Sequence, residues 1–365
     1  MISPALNQLR SLLAEHELEA ALISNPTNRR YLSGYTADDH APDESSGLLL
    51  ISKEQAVLFT SSVNADWAKA EALSFEVVPC KRPWEPGVVE HAVKLGLKRI
   101  GFEDRATIVS SHAALASASE TVIWTPLEGS VDSLRACKSK VEIDELARAM
   151  QLTDLVFAEV AASIVPGESE ASVAWKIERL TREMTEGTVA FEPIVASGPH
   201  AARPHHAATD RAIQEREPFV IDMGVASNGY RGDLTRTICL GEPTERLREV
   251  YNVVYQAQRA AIAAVGPGVP VKQVDQTARD AIEAAGFGEF ILHSVGHGLG
   301  LRVHEAPSVS TNSDAVLEPG NVVTIEPGVY IPEWGGVRIE DVCVVTESGH
   351  RNMTTAAIYT EWEER

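Results

Sequence analysis

The sequence has few cysteines and no long apolar segment. Its four cysteines, Cys80, Cys137, Cys239 and Cys343, are scattered along 365 residues without a C-x-x-C pair, which indicates reduced thiols rather than a disulfide framework. No segment approaches the roughly 18 apolar residues of a membrane-spanning helix. The first residues lead into an amphipathic, charged helix that lacks the apolar core of a signal peptide. We therefore expect a cytoplasmic protein without a membrane partner.

Positive charge is scarce as well. The chain carries 32 Lys and Arg against 52 Asp and Glu, a formal net charge of −20. Such acidity opposes binding to nucleic acid or to anionic membranes, although a surplus of acidic residues is also an ordinary feature of solvated surfaces. With 44% hydrophobic residues, a chain of this length can fill two cores.

The pattern of apolar residues predicts two domains. In the first part, strands at about 19–24, 47–52, 56–60, 75–79, 98–103 and 121–125 alternate with helices at about 63–73 and 87–95. In the second part, long helices at about 141–164, 169–186, 244–265 and 270–285 are expected to pack outside a sheet. We predict an α/β N-terminal domain over 1–134 and an α+β second domain over 135–365. The polar, acidic loop 37–46 is expected to be exposed.

The most informative local feature is a pair of aspartates around a predicted hairpin. Asn228-Gly229 between apolar-rich segments is a strong signal for a two-residue turn. That turn places Asp222 opposite Thr235 and puts Asp222 and Asp233 on one face as diagonal neighbours, about 7 to 8 Å apart. Two carboxylates this close on a half-buried sheet favour a bound cation between them. Two solvated aspartates on an exposed face are the alternative.

Two glutamates lie in apolar runs near the C-terminus. Segments 322–326 and 337–342 are both predicted as strands, and they carry Glu326 and Glu340 where an unpaired charge is costly to bury. Arg338 and Glu340 are two positions apart and are expected to share a face of the strand. Arg338 is then placed to bind a carboxylate through two parallel hydrogen bonds, and a structural ion pair with Glu340 is the alternative.

A histidine in a glycine-rich segment completes the set of candidate ligands. Gly296, Gly298 and Gly300 flank His297, so the backbone there can approach a ligand closely, and a helix that pairs His293 with His297 on zinc is disfavoured. The spacing also differs from the G-x-G-x-x-G pattern of dinucleotide-binding loops. One imidazole with four carboxylates is suited to Mn²⁺, Co²⁺ or Zn²⁺. A core or surface histidine is the alternative for His297 alone.

Five motifs occur in order between about residue 135 and the end of the sequence. They are 221–224 (IDMG), 232–237 (GDLTRT), 296–301 (GHGLGL), 324–328 (TIEPG) and 338–341 (RIED). Together they resemble the pita-bread metallopeptidases, the family of methionine aminopeptidase, aminopeptidase P, prolidase and creatinase. The arginine of the last motif and the sizeable N-terminal domain resemble the aminopeptidase P and prolidase branch. The resemblance implies a creatinase/aminopeptidase-like catalytic fold.

The resemblance also implies two divalent metal ions per subunit, with Mn²⁺ expected ahead of Co²⁺ or Zn²⁺. By that resemblance Asp222 binds one ion, Asp233 and Glu340 bridge both, and His297 and Glu326 complete the second. A hydroxide between the ions attacks the scissile carbonyl.

Four further roles follow from the same resemblance. Glu326 is the expected proton shuttle. His205 matches a second-sphere histidine of the family, with the adjacent His206 as the alternative assignment. His304 matches the histidine that steadies the tetrahedral intermediate. Arg338 is expected to help bind the carboxylate of a C-terminal proline.

The expected function is metal-dependent hydrolysis of the Xaa-Pro peptide bond. The sizes of the two parts resemble compact prokaryotic prolidases, which favours an Xaa-Pro dipeptidase. Aminopeptidase P activity on longer Xaa-Pro-Yaa peptides and hydrolysis of a non-peptide amide are the alternatives within the fold. A non-catalytic binding module is a third alternative, but such relatives lose ligands that this chain keeps. The branch also implies a homodimer, with loop 37–46 at the edge of the neighbouring active site.

Overall fold

A computed structural model describes residues 4–41 and 43–358, so that Pro42 of loop 37–46 lies outside the described residues. The chain divides into two compact units, residues 1–135 and residues 136–365. Each unit is described separately below. None of the helices in the described ranges is long and apolar enough to cross a membrane.

The first unit is a six-stranded mixed sheet with helices on both faces. Its strands β1–β6 are Ala20–Ile23, Leu48–Ser52, Ala56–Thr60, Glu76–Pro79, Arg99–Phe102 and Ile123–Pro126. Its helices α1–α6 are Pro4–Glu15, Pro26–Ser33, Ala65–Glu71, Glu85–Lys94, Val109–Ala118 and Ser130–Leu134. The strand order is β4-β3-β2-β1-β5-β6. All six strands and both helices predicted for this part are confirmed.

Burial explains why the first unit needs helices on both sides. Every residue of β1 and β2 is buried, as expected for strands that are apolar on both faces. One apolar cluster joins α1 to one face of the sheet, and a second joins α4 to the other.

Loop 37–46 is only partly exposed, which corrects the expectation from its composition. Asp38 and His40 are exposed, but Asp39 accepts a hydrogen bond at 2.8 Å from the fully buried Arg29. The Arg29 guanidinium also donates to the carbonyl of Gly47 at 2.9 Å. A buried guanidinium requires such acceptors, so the acidic residue at position 39 fixes this loop to the unit.

The second unit contains four long helices and thirteen short strands within the described residues. Its helices α7–α10 are Lys140–Ser163, Glu170–Met184, Glu245–Ala263 and Val271–Ala284, and 3₁₀ turns cover Gly198–Ala202 and Gly288–Phe290. Strands β7–β13 are Thr188–Val189, Ile194–Ser197, Phe219–Met223, Val225–Ser227, Tyr230–Arg231, Leu234–Ile238 and Gly296–Gly298. Strands β14–β19 are Glu305–Val309, Val322–Ile325, Gly328–Ile331, Gly335–Arg338, Asp341–Thr346 and Gly349–Asn352. The four predicted helices are confirmed.

Local signals set the starts of these helices. Ser139 and Glu142 form a reciprocal capping box at the start of α7, and the side chains of Ser169 and Thr244 cap α8 and α9. Each cap satisfies an amide that the first helical turn leaves without a partner. The strands form sheets in the orders β12-β9-β8 and β14-β13-β15-β18-β19, with smaller ladders β11-β10-β7 and β16-β17.

The predicted hairpin is confirmed in its register. Tyr230 pairs with Ser227, so that the loop contains only Asn228 and Gly229, and both residues have positive φ. Further along the same hairpin, Thr235 pairs with Asp222. The turn therefore sets the face on which the two aspartates lie.

The predicted strand over 337–342 is wrong, because the chain leaves one ladder and enters another within it. Strand β17 ends at Arg338 and pairs with β16, whereas β18 begins at Asp341 and pairs with β15. Ile339 and Glu340 form the break between them. Arg338 and Glu340 consequently do not share a strand face by simple alternation.

Candidate metal centre

The two aspartates of the hairpin lie at one wall of a cavity in the second unit. Asp222 is in β9, and Asp233 precedes β12 and is 4% exposed. Both line a cavity of about 950 Å³. The amide of Asp233 contacts Met150 Sδ at 3.4 Å, so the long helix α7 supports the backbone at this ligand position.

His297 reaches the same cavity from β13. Its Nδ1 donates to the carbonyl of Gly298 at 3.1 Å, and since a carbonyl only accepts, Nε2 is the nitrogen available to a ligand. The flanking glycines permit this strand to lie close to its neighbours. A Cβ at Gly296 would be 2.0 Å from the carbonyl oxygen of Thr324, so no other residue fits there.

The two glutamates reach the cluster from different places. Glu326 lies at the end of β15, in the same sheet as β13, and Glu340 lies in the break after β17. The amide of Glu326 donates to the carbonyl of Val295 at 2.7 Å. The amide of Glu340 donates to the carbonyl of Thr235 at 3.1 Å, and Glu340 Oε2 accepts from Thr235 Oγ1 at 2.9 Å. Both carboxylates therefore leave a backbone that is fixed by hydrogen bonds.

The five predicted ligands form one cluster. Ligand atoms of Asp233, His297 and Glu340 all lie within 4.8 Å of one another. His297 Nε2 is 3.1 Å from Glu326 Oε1 and 3.7 Å from Asp233 Oδ2. Asp222 is in electrostatic contact with both Asp233 and Glu326. Residues from three separate parts of the sequence thus converge on one point.

Two features of this cluster fit a bound cation. Asp222 Oδ1 and Glu340 Oε1 are buried and have no hydrogen-bond partner in the described part of the chain, although buried carboxylate oxygens ordinarily have one. Burial, followed by the charges of Glu340 and Asp222, raises the pKa of Asp233 well above its usual value. Burial, followed by the charges of Glu326 and Asp222, raises the pKa of Glu340 well above its usual value. Divalent cations held by these residues would remove both penalties, because a cation would supply a partner for the free oxygens and offset the repulsion.

Glu326 differs electrostatically from the other carboxylates. Burial alone would raise its pKa, but in the metal-free protein the hydrogen bond from protonated His297 and the charge of that imidazolium lower the pKa of Glu326 to about 2. Its Oε1 also accepts from Thr324 Oγ1 at 3.1 Å. Glu326 is therefore an ionised proton acceptor throughout the neutral range.

Arg338 is buried behind Asp222, and each of its three guanidinium nitrogens donates a hydrogen bond. Its Nη2 donates to Asp222 Oδ2 at 2.6 Å, its Nε to Thr235 Oγ1 at 3.1 Å and its Nη1 to Tyr330 Oη at 2.8 Å. A second bond from Nη1 reaches the carbonyl of Pro204 at 3.3 Å. The predicted alternative of an ion pair with Glu340 does not describe this arrangement, since Arg338 pairs with Asp222 Oδ2 at 2.6 Å and, at the longer distance of 3.9 Å, with Glu326 Oε2.

Three polar residues of this network, Tyr330, His293 and Thr235, were not among the predicted site residues. Tyr330 Oη donates to His293 Nε2 at 2.6 Å, while His293 Nδ1 donates to the carbonyl of Ser294 at 2.7 Å. Thr235 links Arg338 to Glu340. The predicted register already placed Thr235 opposite Asp222, a signal that could have identified it, whereas nothing local indicated that Tyr330 would meet His293.

The two other predicted histidines also line the cavity. His304 directly precedes β14, and its ring lies edge-on to that of His297, with centroids 4.3 Å apart. His205 is exposed in the loop after the Gly198–Ala202 turn and lines the same cavity. The side chain of its neighbour His206 is buried against Glu170 instead, with Nε2 3.0 Å from Oε2.

A second histidine and carboxylate cluster is better explained as a structural hub. Glu170, His200 and His206 bring ligand atoms within 4.8 Å, but Glu170 also accepts from the amide and hydroxyl of Ser197 at 2.8 and 2.7 Å. The hydroxyl of Thr209 donates to it at 2.8 Å. Its oxygens are thus occupied by hydrogen bonds, and the cluster fixes the loop that carries His205.

Comparison with protein families identifies both units. Residues 144–347 match the model of metallopeptidase family M24, and residues 6–137 match the creatinase/prolidase N-terminal domain. Both matches lie in the order that the sequence resemblance implied.

Individual relatives are similar to this chain over nearly its whole length. The Xaa-Pro dipeptidase of Pyrococcus furiosus is 33% identical over 96% of this chain and 97% of its own length. The structure of an Xaa-Pro dipeptidase from Bacillus anthracis is 36% identical, covers 97% of this chain and 98% of its own, and has a TM-score of 0.91. An X-Pro aminopeptidase from Thermotoga maritima is 32% identical over 97% and 99%, with a TM-score of 0.89.

Proposed function

This chain belongs to metallopeptidase family M24, and from that premise we propose that it hydrolyses the Xaa-Pro peptide bond as an Xaa-Pro dipeptidase. The observation that carries the proposal is the cluster of four carboxylates and one imidazole at one cavity, where Asp222, Asp233, His297 and Glu326 line the wall and Glu340 is buried beside Asp233 and His297. The relatives named as Xaa-Pro dipeptidases match the chain over both units, which supports the choice of substrate class.

The proposed cofactor is a pair of divalent cations, with Mn²⁺ ahead of Co²⁺ and Zn²⁺. The residues that would hold them are Asp222, Asp233, His297, Glu326 and Glu340, a hard donor set with one imidazole. When bound, such cations act as Lewis acids and lower the pKa of coordinated water. The unpartnered oxygens of Asp222 and Glu340 support this assignment.

The remaining steps belong to side chains of this protein. The Glu326 carboxylate accepts a proton from the attacking water and returns it to the leaving proline nitrogen. His304 and His205, at the cavity wall, donate hydrogen bonds to the oxygen that gains negative charge. Arg338 holds Asp222 through its bond at 2.6 Å, so we assign it to orientation of that ligand rather than to contact with substrate.

A panel of peptides tests this function. With Mn²⁺ supplied, we expect kcat/KM to be higher for Xaa-Pro dipeptides than for Xaa-Pro-Yaa tripeptides, and to fall when the proline carboxylate is amidated. The comparison should use one N-terminal residue throughout, with an Xaa-Ala dipeptide as the control for proline selectivity. Tripeptides cleaved as well as or better than dipeptides would instead establish an aminopeptidase P, a function favoured by the similarity to the Thermotoga maritima structure. Cleavage of non-peptide amides alone would contradict both.

We also propose that the protein is a homodimer. Val63, Trp67 and Leu73 expose 88%, 47% and 83% of their surface in the first unit, and large exposed apolar side chains close in sequence are typical of interaction surfaces. Light scattering of the purified protein is expected to give twice the mass of one chain. A monomer with full peptidase activity would contradict this proposal.

A further inference from the structure

Arg236 is a fully buried arginine on the reverse side of the metal-binding strand. It follows Thr235 in β12 and is 1% exposed. Because side chains alternate along a strand, Arg236 and Thr235 project from opposite faces, and Arg236 is outside the cavity lining. The proposed reaction gives it no role, so its burial needs a separate explanation.

Every donor of the Arg236 guanidinium has an acceptor. Nη1 donates to the carbonyls of Glu340 and Thr235, the latter at 3.0 Å. The other partners are Asp341 Oδ1 at 2.8 Å, the carbonyl of Ala356 at 2.9 Å and the carbonyl of Ala357 at 3.1 Å. A guanidinium offers five N–H groups, and here five acceptors surround it.

These acceptors include the strand break that carries a ligand. Glu340 lies between β17 and β18, where its backbone takes part in neither ladder. Its amide donates to the carbonyl of Thr235 and its carbonyl accepts from Arg236. Both polar backbone groups of Glu340 are therefore held by two consecutive residues of β12.

The same guanidinium connects the break to the C-terminal segment. Beyond its bonds to Ala356 and Ala357, that segment is held by Thr355, whose amide and hydroxyl donate to Asp154 Oδ2 at 2.7 and 2.6 Å. The segment thus covers Arg236, and its carbonyls accept the hydrogen bonds that water would accept from an exposed arginine.

We propose that Arg236 is a positioning residue for the metal centre, which it serves by locking the backbone at Glu340 to the C-terminal segment 355–357. The inference rests on the proposed metal binding and concerns metal affinity rather than peptide cleavage. The planar guanidinium fork of arginine is required, since a lysine ammonium is a point charge with three N–H donors and cannot bond to all five acceptors. Without the fork, the Glu340 carboxylate is free to shift away from the ligand position.

The test is Arg236→Lys, measured by Mn²⁺ titration of the metal-free full-length protein. We expect the dissociation constant for Mn²⁺ to rise by about 10- to 100-fold, the range found when residues behind metal ligands are changed. The visible absorption of the Co²⁺-loaded variant should also change, because that spectrum reports ligand geometry. Arg248→Lys is the matched control, since Arg248 is partly exposed on α9 and contacts Glu242 at 3.4 Å.

The proposal would be overturned if Arg236→Lys kept the parental Mn²⁺ affinity and Co²⁺ spectrum, even at a lower melting temperature. Arg236 would then stabilise the fold without positioning a metal ligand. Because no peptide is used, absence of Xaa-Pro cleavage would count against the proposed function without affecting this result.

Hydrogen exchange of the unmutated protein provides a second test that does not depend on the folding of a variant. Mn²⁺ should slow exchange of the Glu340 and Thr355 amides together, by more than it slows amides of helix α10. Slowing at Glu340 without slowing at Thr355 would refute the link through Arg236.

Discussion

Asp233→Asn is expected to remove metal-dependent activity and, at the same time, to make the metal-free protein more resistant to heat. Asp233 is buried among Glu340, Asp222 and Glu326, and burial together with these charges raises its pKa well above 3.8. The amide has nearly the same shape but no charge, so the repulsion disappears along with a ligand. We expect bound metal and turnover to fall by more than about 100-fold, beyond the range for residues behind the ligands.

The stability effect has a defined pH dependence. A carboxyl group whose pKa is raised in the folded state stabilises the fold only while it is protonated, so the metal-free parent should lose stability as pH rises from 3.8 through the folded-state pKa. The Asp233→Asn variant has no carboxyl group at this position and should not lose stability in this way. The melting temperature of the metal-free variant should therefore exceed that of the metal-free parent by a margin that grows with pH.

Thermal unfolding in chelator and metal analysis after dialysis measure both effects. Asp280→Asn is a suitable control, because Asp280 is exposed on α10 and accepts only a surface hydrogen bond from Gln276. Full metal content in Asp233→Asn would contradict the assignment of Asp233 as a ligand. A metal-free melting temperature below that of the parent at neutral pH would show that repulsion at Asp233 is not a cost to the fold.

The position of the two aspartates could be predicted because short-range signals determine it. Asn228-Gly229 specifies a turn in which both residues have positive φ, and a two-residue loop fixes which residues pair along the whole hairpin. The helices were predictable for the same reason, since apolar periodicity and capping residues such as Ser139 lie within a few positions of the boundary they set.

The strand break at Ile339 and Glu340 could not be predicted in this way. Residues 337–340 alternate between apolar and polar types, which is the local pattern of a strand that continues through Ile339 and Glu340. The break depends on Thr235 and Arg236, which hold the backbone of Glu340 from about 100 positions earlier in the sequence. Distant partners of this kind leave no local signal.

Arg338 shows the same difficulty for function. Its place beside Glu340 predicted a group that binds substrate, and its type is suited to that purpose. The structure surrounds it with Asp222, Thr235 and Tyr330, partners that are brought together only by folding. Residue type and spacing identified the correct cavity wall, whereas Asp222 and Thr235, which hold Arg338 in place, come from a distant part of the sequence and leave no signal near it.

Glu326→Gln is expected to separate the two tasks proposed for one carboxylate. The glutamine retains an oxygen that can accept from Thr324 Oγ1, as Glu326 Oε1 does at 3.1 Å, but it is not a base. Beside His297 in the metal-free protein, the pKa of Glu326 is about 2, so the parent residue is ionised at neutral pH. Loss of a general acid and base typically costs a factor of 10² to 10⁴, so we expect kcat to fall by about that factor.

Turnover must be followed against Mn²⁺ concentration to interpret the loss. Glu249→Gln, an exposed change on α9, controls for the loss of one negative charge and should keep the parental kcat. If Glu326 served only as a ligand, excess Mn²⁺ would restore kcat in Glu326→Gln, whereas a proton acceptor cannot be replaced by more metal. Restoration to the parental kcat at saturating Mn²⁺ would therefore assign the proton to another group, and His304, whose ring lies against His297, would be the next residue to change.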